Sequence, residues 1–463
     1  MSPRLSLRQA ERRGLRLWPV GIVLILAFTT AVLVAASVFY AGWDLLGARE
    51  LKPERRIDST TLFDLVKLAF GVVAGAGALV ALVVAYRRQR VDEDGALRDA
   101  TRLHTERFTT AVSQLGEESA AVRLGGVHAL AGLADDAPTR ELRQTCIDVL
   151  CAYLRLPYTP ESDLPDDATE ARHTYLALRE VRHTTIRLIR DHLRLPHDHQ
   201  HSWQGHKFDF TNVAFDGGDL GGAVFSGGAV HFHGAVFYGR AVNFSGAVFS
   251  GATVNFGGAA HLGGADFSGG TVNFSGAVFS GGTVNFNQAT FSGGTVNFGE
   301  AVFCGGTVNF DRAVFSGGPV HFRNAQFSGG TIDFRSAKFS GGAVSFGGAV
   351  FSDGTVHFEG AVFSSGAVDF LGSVFSGSTV SFAGAAFSGG IVHFLHAEFS
   401  GGTILFASAE LSGGMISFKR AEFSGGAVDF SGATGSAPTG LIPVSGSPLP
   451  TGVILPPAWQ AIG

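Results

Sequence analysis

The chain has 463 residues, 45% of them hydrophobic and 16% charged, with a formal net charge of −5. That length exceeds a single ordinary core, and the 65 glycines and 41 phenylalanines, concentrated after residue 208, exclude one uniform globular fold. Cys146, Cys151 and Cys304 lack paired spacing, which argues against a disulfide framework and for a reducing compartment.

In chain order, residues 1–17 are a basic segment with Arg4, Arg8, Arg12, Arg13 and Arg16. Trp18 to Tyr40 comes next as 23 apolar residues, long enough to cross a bilayer as a helix. A loop at 41–61 leads to a second apolar stretch, 62–86, interrupted only by Asp64 and Lys67, and then to Arg87-Arg88-Gln89-Arg90. A second span with a stop-transfer run favours a membrane hairpin over a cleaved signal peptide. The eight basic residues outside the two spans exceed Arg49, Lys52, Arg55 and Arg56 between them, which predicts both termini in the cytoplasm of a multi-pass plasma-membrane protein.

Residues 91–200 carry helical periodicity, in Leu115, Val122, Leu124, Val127, Leu130 and Leu133 and again in Leu142, Ile147, Leu150 and Leu154. Pro138-Thr139 predicts a helix start, and Ala121 to Leu130 looks like one helix of a HEAT-like pair. This reads as a small helical adaptor that caps the adjoining array. His197, His199, His201 and His206 then crowd a segment after Pro196. Alternating histidines invite a metal-sensor or enzyme reading, but no cysteine or carboxylate stands at ligand spacing, so a solvated linker without metal or cofactor is expected.

From Phe267 to Phe430 the chain repeats every twelve residues, as in Phe279-Ser-Gly-Gly-Thr-Val-Asn-Phe286, which marks a solenoid. Alternation along short extended segments turns Ala277 and Phe279 inward together, and Val284 with Phe286. The expected core therefore includes Phe279, Phe286, Phe291, Phe298, Phe303 and Phe310, with Gly-Gly pairs at the corners. Earlier, Phe210, Phe215, Leu220 and Phe225 recur every five residues, in units such as Ala223-Val224-Phe225-Ser226-Gly227 and Ala247-Val248-Phe249-Ser250-Gly251.

These units resemble the pentapeptide-repeat family over Phe208 to Ala433, and the whole arrangement resembles its membrane-anchored actinobacterial members. The resemblance implies a mainly β chain: a right-handed quadrilateral β-helix at 208–433, preceded by the transmembrane hairpin and the helical domain. Here every second unit has two extra residues, so four faces take 24 residues, with the extra pair expected at corners. One twelve-residue unit per coil, as in narrow antifreeze-type helices, would overfill the interior with two rings per coil. About nine coils at roughly 4.8 Å spacing give a rod on the order of 45 Å long. Ala259 to Gly264 breaks the phase and suggests a kink or bulge. Residues 434–463, rich in proline, glycine and serine, read as a disordered tail.

No catalytic constellation accompanies the serine column, and the glycine corners never supply the lysine of a phosphate loop. His321, His357 and His393 occupy outward places too far apart to share a metal. Some relatives of the resembled family mimic duplex DNA and inhibit type II topoisomerases. This array has 14 acidic and 7 basic residues over 208–433, too dilute to copy one charge per about 1.7 Å of duplex axis, and it has no basic stripe for nucleic acid. Val278, Val302, Val314, Val350, Val362 and Val374 share the outward place between Ala and Phe and form a candidate contact face for a protein partner or second copy. Thr283, Thr295, Thr307 and Thr331, with Asn285, Asn297 and Asn309, suggest a second outer row. The expected function is a non-enzymatic membrane-anchored scaffold for protein binding; a topoisomerase-directed DNA mimic is the alternative.

Overall fold

The computed structural model describes residues 20–45, 58–159, 161, 164–165, 169–237, 239–258, 264–441 and 449–460, in two units, 1–102 and 103–463. The first unit holds helix α1 (Val20–Leu45) and most of α2 (Ser59–Leu115). Segment 1–17, the start of the first expected span and most of the 41–61 loop lie outside the described residues. On both helices large apolar side chains are uncovered, Ile25 at 68%, Phe63 at 68% and Phe70 at 71% of their full exposure. Among the described residues, α2 is the one helix long and apolar enough to cross a membrane. It does not stop after Tyr86 to leave a separate adaptor starting at 91. The stretch from Arg87 to Leu115 contains no proline and is rich in helix formers, so the helix runs on to a length of 57 residues.

In the second unit the last turns of α2 join α3 (Ala120–Asp135), α4 (Arg140–Arg155) and α5 (Thr169–Arg194). Leu115, Val127, Leu130, Ile147, Leu150 and Ile189 form their shared core. The Pro138-Thr139 signal holds: Thr139 Oγ1 accepts the Leu142 N–H at 3.3 Å and caps α4. Gly126 lets α3 approach α2, since a Cβ there would lie 2.9 Å from the Ala111 carbonyl oxygen.

The array is a parallel β-solenoid of about ten turns. Each coil contributes to four ladders. The first runs through Thr283–Asn285 and Thr307–Asn309, the second through Thr290 and Val314, the third through Thr271–Asn273 and Thr295–Asn297, and the fourth through Val278 and Val302. Their registers fix 24 residues per coil, as the packing argument requires. The six core phenylalanines named above are all buried. Rings 24 apart stack, Phe274 on Phe298 at 4.8 Å and 5°, while Phe286 meets Phe298 edge to face at 5.9 Å and 88° across the interior.

Two corner types turn the chain. The extra pair sits in the Ser-Gly-Gly corner, where successive coils come so close that a Cβ on Gly318 would lie 1.8 Å from the Gly294 carbonyl oxygen. The other corner comes after Asn-Phe and needs one left-handed residue, which is Gly384 at φ +62 but also Arg312 at +55 and Arg420 at +57. The outward Asn before that Phe has a role beyond a surface row: Asn297 Oδ1 accepts the Gly299 N–H at 2.8 Å, and Asn273 and Asn285 do the same for Ser275 and Asn287.

The phase break at Ala259–Gly264 does not kink the stack. Coils across it have 30 residues instead of 24, as in Val248 beside Val278. The corner bond that elsewhere links Ala247 N–H to Phe244 O links Ala265 N–H to Phe256 O at 2.6 Å, so the insertion leaves the core path untouched. Phe256 still stacks on Phe286 at 4.7 Å. Residues 259–263 themselves lie outside the described residues.

The expected disordered tail is corrected over 434–441 and 449–460. Thr434–Gly435 extends the second ladder, Val453–Ile454 pairs with Ala427–Asp429, and the short helix α6 (Pro457–Gln460) completes the chain's described part. Trp459 is 3% exposed, donates from Nε1 to Gly435 O at 2.9 Å and packs 5.4 Å from Phe430. The physical reason is the last coil's open edge, whose backbone groups and ring would otherwise face water. Residues 442–448 and 461–463 lie outside the described residues.

The two corners predict different costs. Gly384→Ala meets nothing within 4 Å and should lose only the left-handed strain of about 1–2 kcal/mol. Gly318→Ala must push two coils apart and should lose clearly more. Chemical denaturation of both variants checks this order.

Candidate interaction surfaces

The solenoid begins with an edge that has no preceding coil, and α4 and α5 cover it with arginines. Arg182 donates from Nη1 to Leu154 O and from Nη2 to Ala214 O, both at 2.7 Å, and its guanidinium lies 4.3 Å from the Tyr158 ring. Arg194 Nε donates to Gly221 O at 2.7 Å, and Arg155 reaches the carbonyl and carboxylate of Asp209. Buried Asp216 accepts from Tyr158 Oη at 2.8 Å and from Tyr175 Oη. Burial and that carboxylate push both phenols up. The polar cluster is thus a docking joint whose members satisfy backbone groups the first coil leaves open.

The histidine-rich junction is not wholly a solvated linker. His197 and His199 are exposed, but His206 is buried, its Nδ1 3.0 Å from Gln144 Oε1. Burial, reinforced by Arg140 and Arg143, pushes its pKa down to about 4. Trp203, fully buried, stacks on His192 at 4.1 Å. The segment folds because Trp203 plugs the joint, a signal that a histidine count passes over. Among the described residues, no group of three or more His, Cys, Asp or Glu could hold a metal ion.

The six candidate valines do not form one row. A 24-residue coil sends positions twelve apart to different ladders, so Val278, Val302, Val350 and Val374 stand on the fourth and Val314 and Val362 on the second. All six are half-buried. Gln326 interrupts the first set and Lys338 the second. The longest unbroken run is Val224, Val248, Val278 and Val302 on the fourth ladder, which becomes acidic at Glu398 and Glu422. Val224 and Val248 were within reach of sequence reasoning once the coil length was used to sort rows. The threonine row splits likewise, Thr283, Thr307 and Thr331 on the first ladder and Thr295 on the third. His321 and His393 stand three coils apart on the third ladder and His357 on the first, so they cannot meet.

With this geometry established, comparison with known proteins adds one finding: residues 253–302 match the family model described as pentapeptide repeats (9 copies). No curated protein and no solved structure matches the chain. The matched segment and the β-solenoid around it support a pentapeptide-repeat protein, a fold that typically serves as a protein-interaction scaffold and is typically non-catalytic.

Arg182→Ala would strand two carbonyls at the joint, at about 1–3 kcal/mol for each. Because repeat arrays couple mainly between neighbours, hydrogen exchange should accelerate over 208–225 while 390–420 keeps its protection.

Proposed function

We propose that this chain is a non-catalytic scaffold anchored in the plasma membrane by α1 and the apolar part of α2, with its solenoid in the cytoplasm. The coil is taken as right-handed from the resemblance to pentapeptide repeats. The solenoid presents fixed rows of outward side chains to a protein partner, and the fourth-ladder valines are the proposed contact. The observation that carries this reading is the unbroken run Val224, Val248, Val278 and Val302, held in register by the stacked core behind it. A rigid surface of this kind binds without an ordering cost. Support for anchoring comes from the uncovered apolar side chains of both helices and the basic excess outside the two spans. The DNA-mimic alternative receives no support from an array so weakly acidic.

The test uses the full chain in its membrane. It should stay in the pellet after alkaline carbonate extraction. Partners cross-linked to it should be lost in Val278→Glu/Val302→Glu and retained in Val314→Glu/Val362→Glu, which changes the second ladder. Release by carbonate would contradict the anchor, and equal recovery from both variants would contradict the contact face.

A further inference from the structure

A cleft of about 430 Å³ opens between α5 and the first two coils, lined by His183, Arg187 and Arg190 from the helix, by Gly217, Gly218 and Asp219 from the first coil, and by Arg240 from the second. Glycine keeps it open. Gly217 and Gly218 have φ of +94 and +145, and a Cβ on Gly217 would lie 3.1 Å from Arg240 Cβ and 3.4 Å from His183 Cε1. The three guanidiniums face one lining carboxylate, Asp219, to which Arg190 is bound while also holding Asp191 at 2.8 Å.

The other two arginines have little to do in the joint. Arg187 Nη2 donates to Thr184 Oγ1 at 3.0 Å, and among the described residues it forms no ion pair. Arg240 is 60% exposed, and its carboxylate neighbour Glu161, 3.9 Å away, lies 4.0 Å from Arg172 as well. The contacts that close the solenoid edge are made by Arg155, Arg182 and Arg194 instead. Arg187 and Arg240 are both exposed, the first without a carboxylate partner among the described residues and the second with one that it shares with Arg172, so both guanidiniums are open to an anion from outside the chain.

We propose that this cleft binds a phosphate group, gripped by Arg187 and Arg240 from opposite walls, with His183 at its base. Planar guanidiniums match phosphate oxygens two at a time. With Arg190 held by Asp219 and Asp191, Arg187 and Arg240 are the two guanidiniums left for an anion, a pair that suits a dianion better than a carboxylate. The group is either a soluble phosphate or phosphomonoester, or the headgroup of an anionic lipid. Both place the same oxygens between the same arginines. The inference does not depend on the scaffold reading, since it uses neither the valine rows nor the membrane helices.

The full chain in detergent micelles is titrated calorimetrically with inorganic phosphate and, separately, with dihexanoyl phosphatidic acid. Saturable binding is expected, weakened at least about tenfold in Arg187→Ala/Arg240→Ala. Binding of inorganic phosphate assigns the site to a soluble anion; binding of phosphatidic acid alone assigns it to a lipid headgroup. If the alanine variant has a lowered melting temperature, Arg187→Lys/Arg240→Lys, which keeps both charges, must bind more weakly than the native chain. No saturable binding of either probe overturns the proposal, as does unchanged affinity in a folded variant.

Discussion

A phenylalanine ring stacked on the ring 24 residues later, about 4.8 Å away, is the contact on which the rest of this molecule depends. Four such columns fill the interior, and edge-to-face contacts across it leave no room for a narrower coil. Ring stacking and strand spacing agree in distance, so core and backbone enforce one register. That agreement explains why glycine occupies the Ser-Gly-Gly corners: coils held at ring-stacking distance bring the Gly318 and Gly294 backbones too close for any side chain. It also explains why the outward residues fall into straight rows, along which neighbours such as Asn273 and Asn297 hydrogen-bond from coil to coil.

A register so regular makes its own difficulty at the ends, where a coil has no neighbour. The two ends are closed by different chemistry. At the start, arginines from α4 and α5 donate to carbonyls of the first coil, and Trp203 and His192 lock the helical domain beside them. At the finish, a strand from beyond the repeat pairs with the last coil and Trp459 covers Phe430. Both closures cover backbone edges that would otherwise pair with another chain. The six-residue insertion at the third coil shows the same priority, since Phe256 and Phe286 remain stacked across it.

Much of this was legible in the sequence because the period exposes what each position does. The core phenylalanines, the 24-residue coil, the glycine corners and the start of α4 at Thr139 all come from local rules. The contact face was misread because a column in the sequence is not a row in space: positions twelve apart, such as Val302 and Val314, lie on different ladders. The asparagine column looked like a surface feature, whereas its oxygens cap corner N–H groups. The tail and the junction were misjudged by composition, in which one tryptophan among prolines or histidines counts for little. Trp459 and Trp203 are buried by contacts distant in the chain, and no local pattern announces such contacts. The basic cleft escaped for the same reason, since α5 and Arg240 meet only when the solenoid is built.

The 24-residue coil can be tested directly by paired cysteines in a Cys304→Ser background. Residues Thr283 and Thr307 stand side by side on one ladder, whereas Thr283 and Thr295 stand on different ones. A disulfide needs Cα atoms about 4.4–6.8 Å apart. Mild oxidation should therefore cross-link Thr283→Cys with Thr307→Cys rapidly and leave Thr283→Cys with Thr295→Cys reduced. Cross-linking of the 283/295 pair instead would mean twelve residues per coil and would contradict the account.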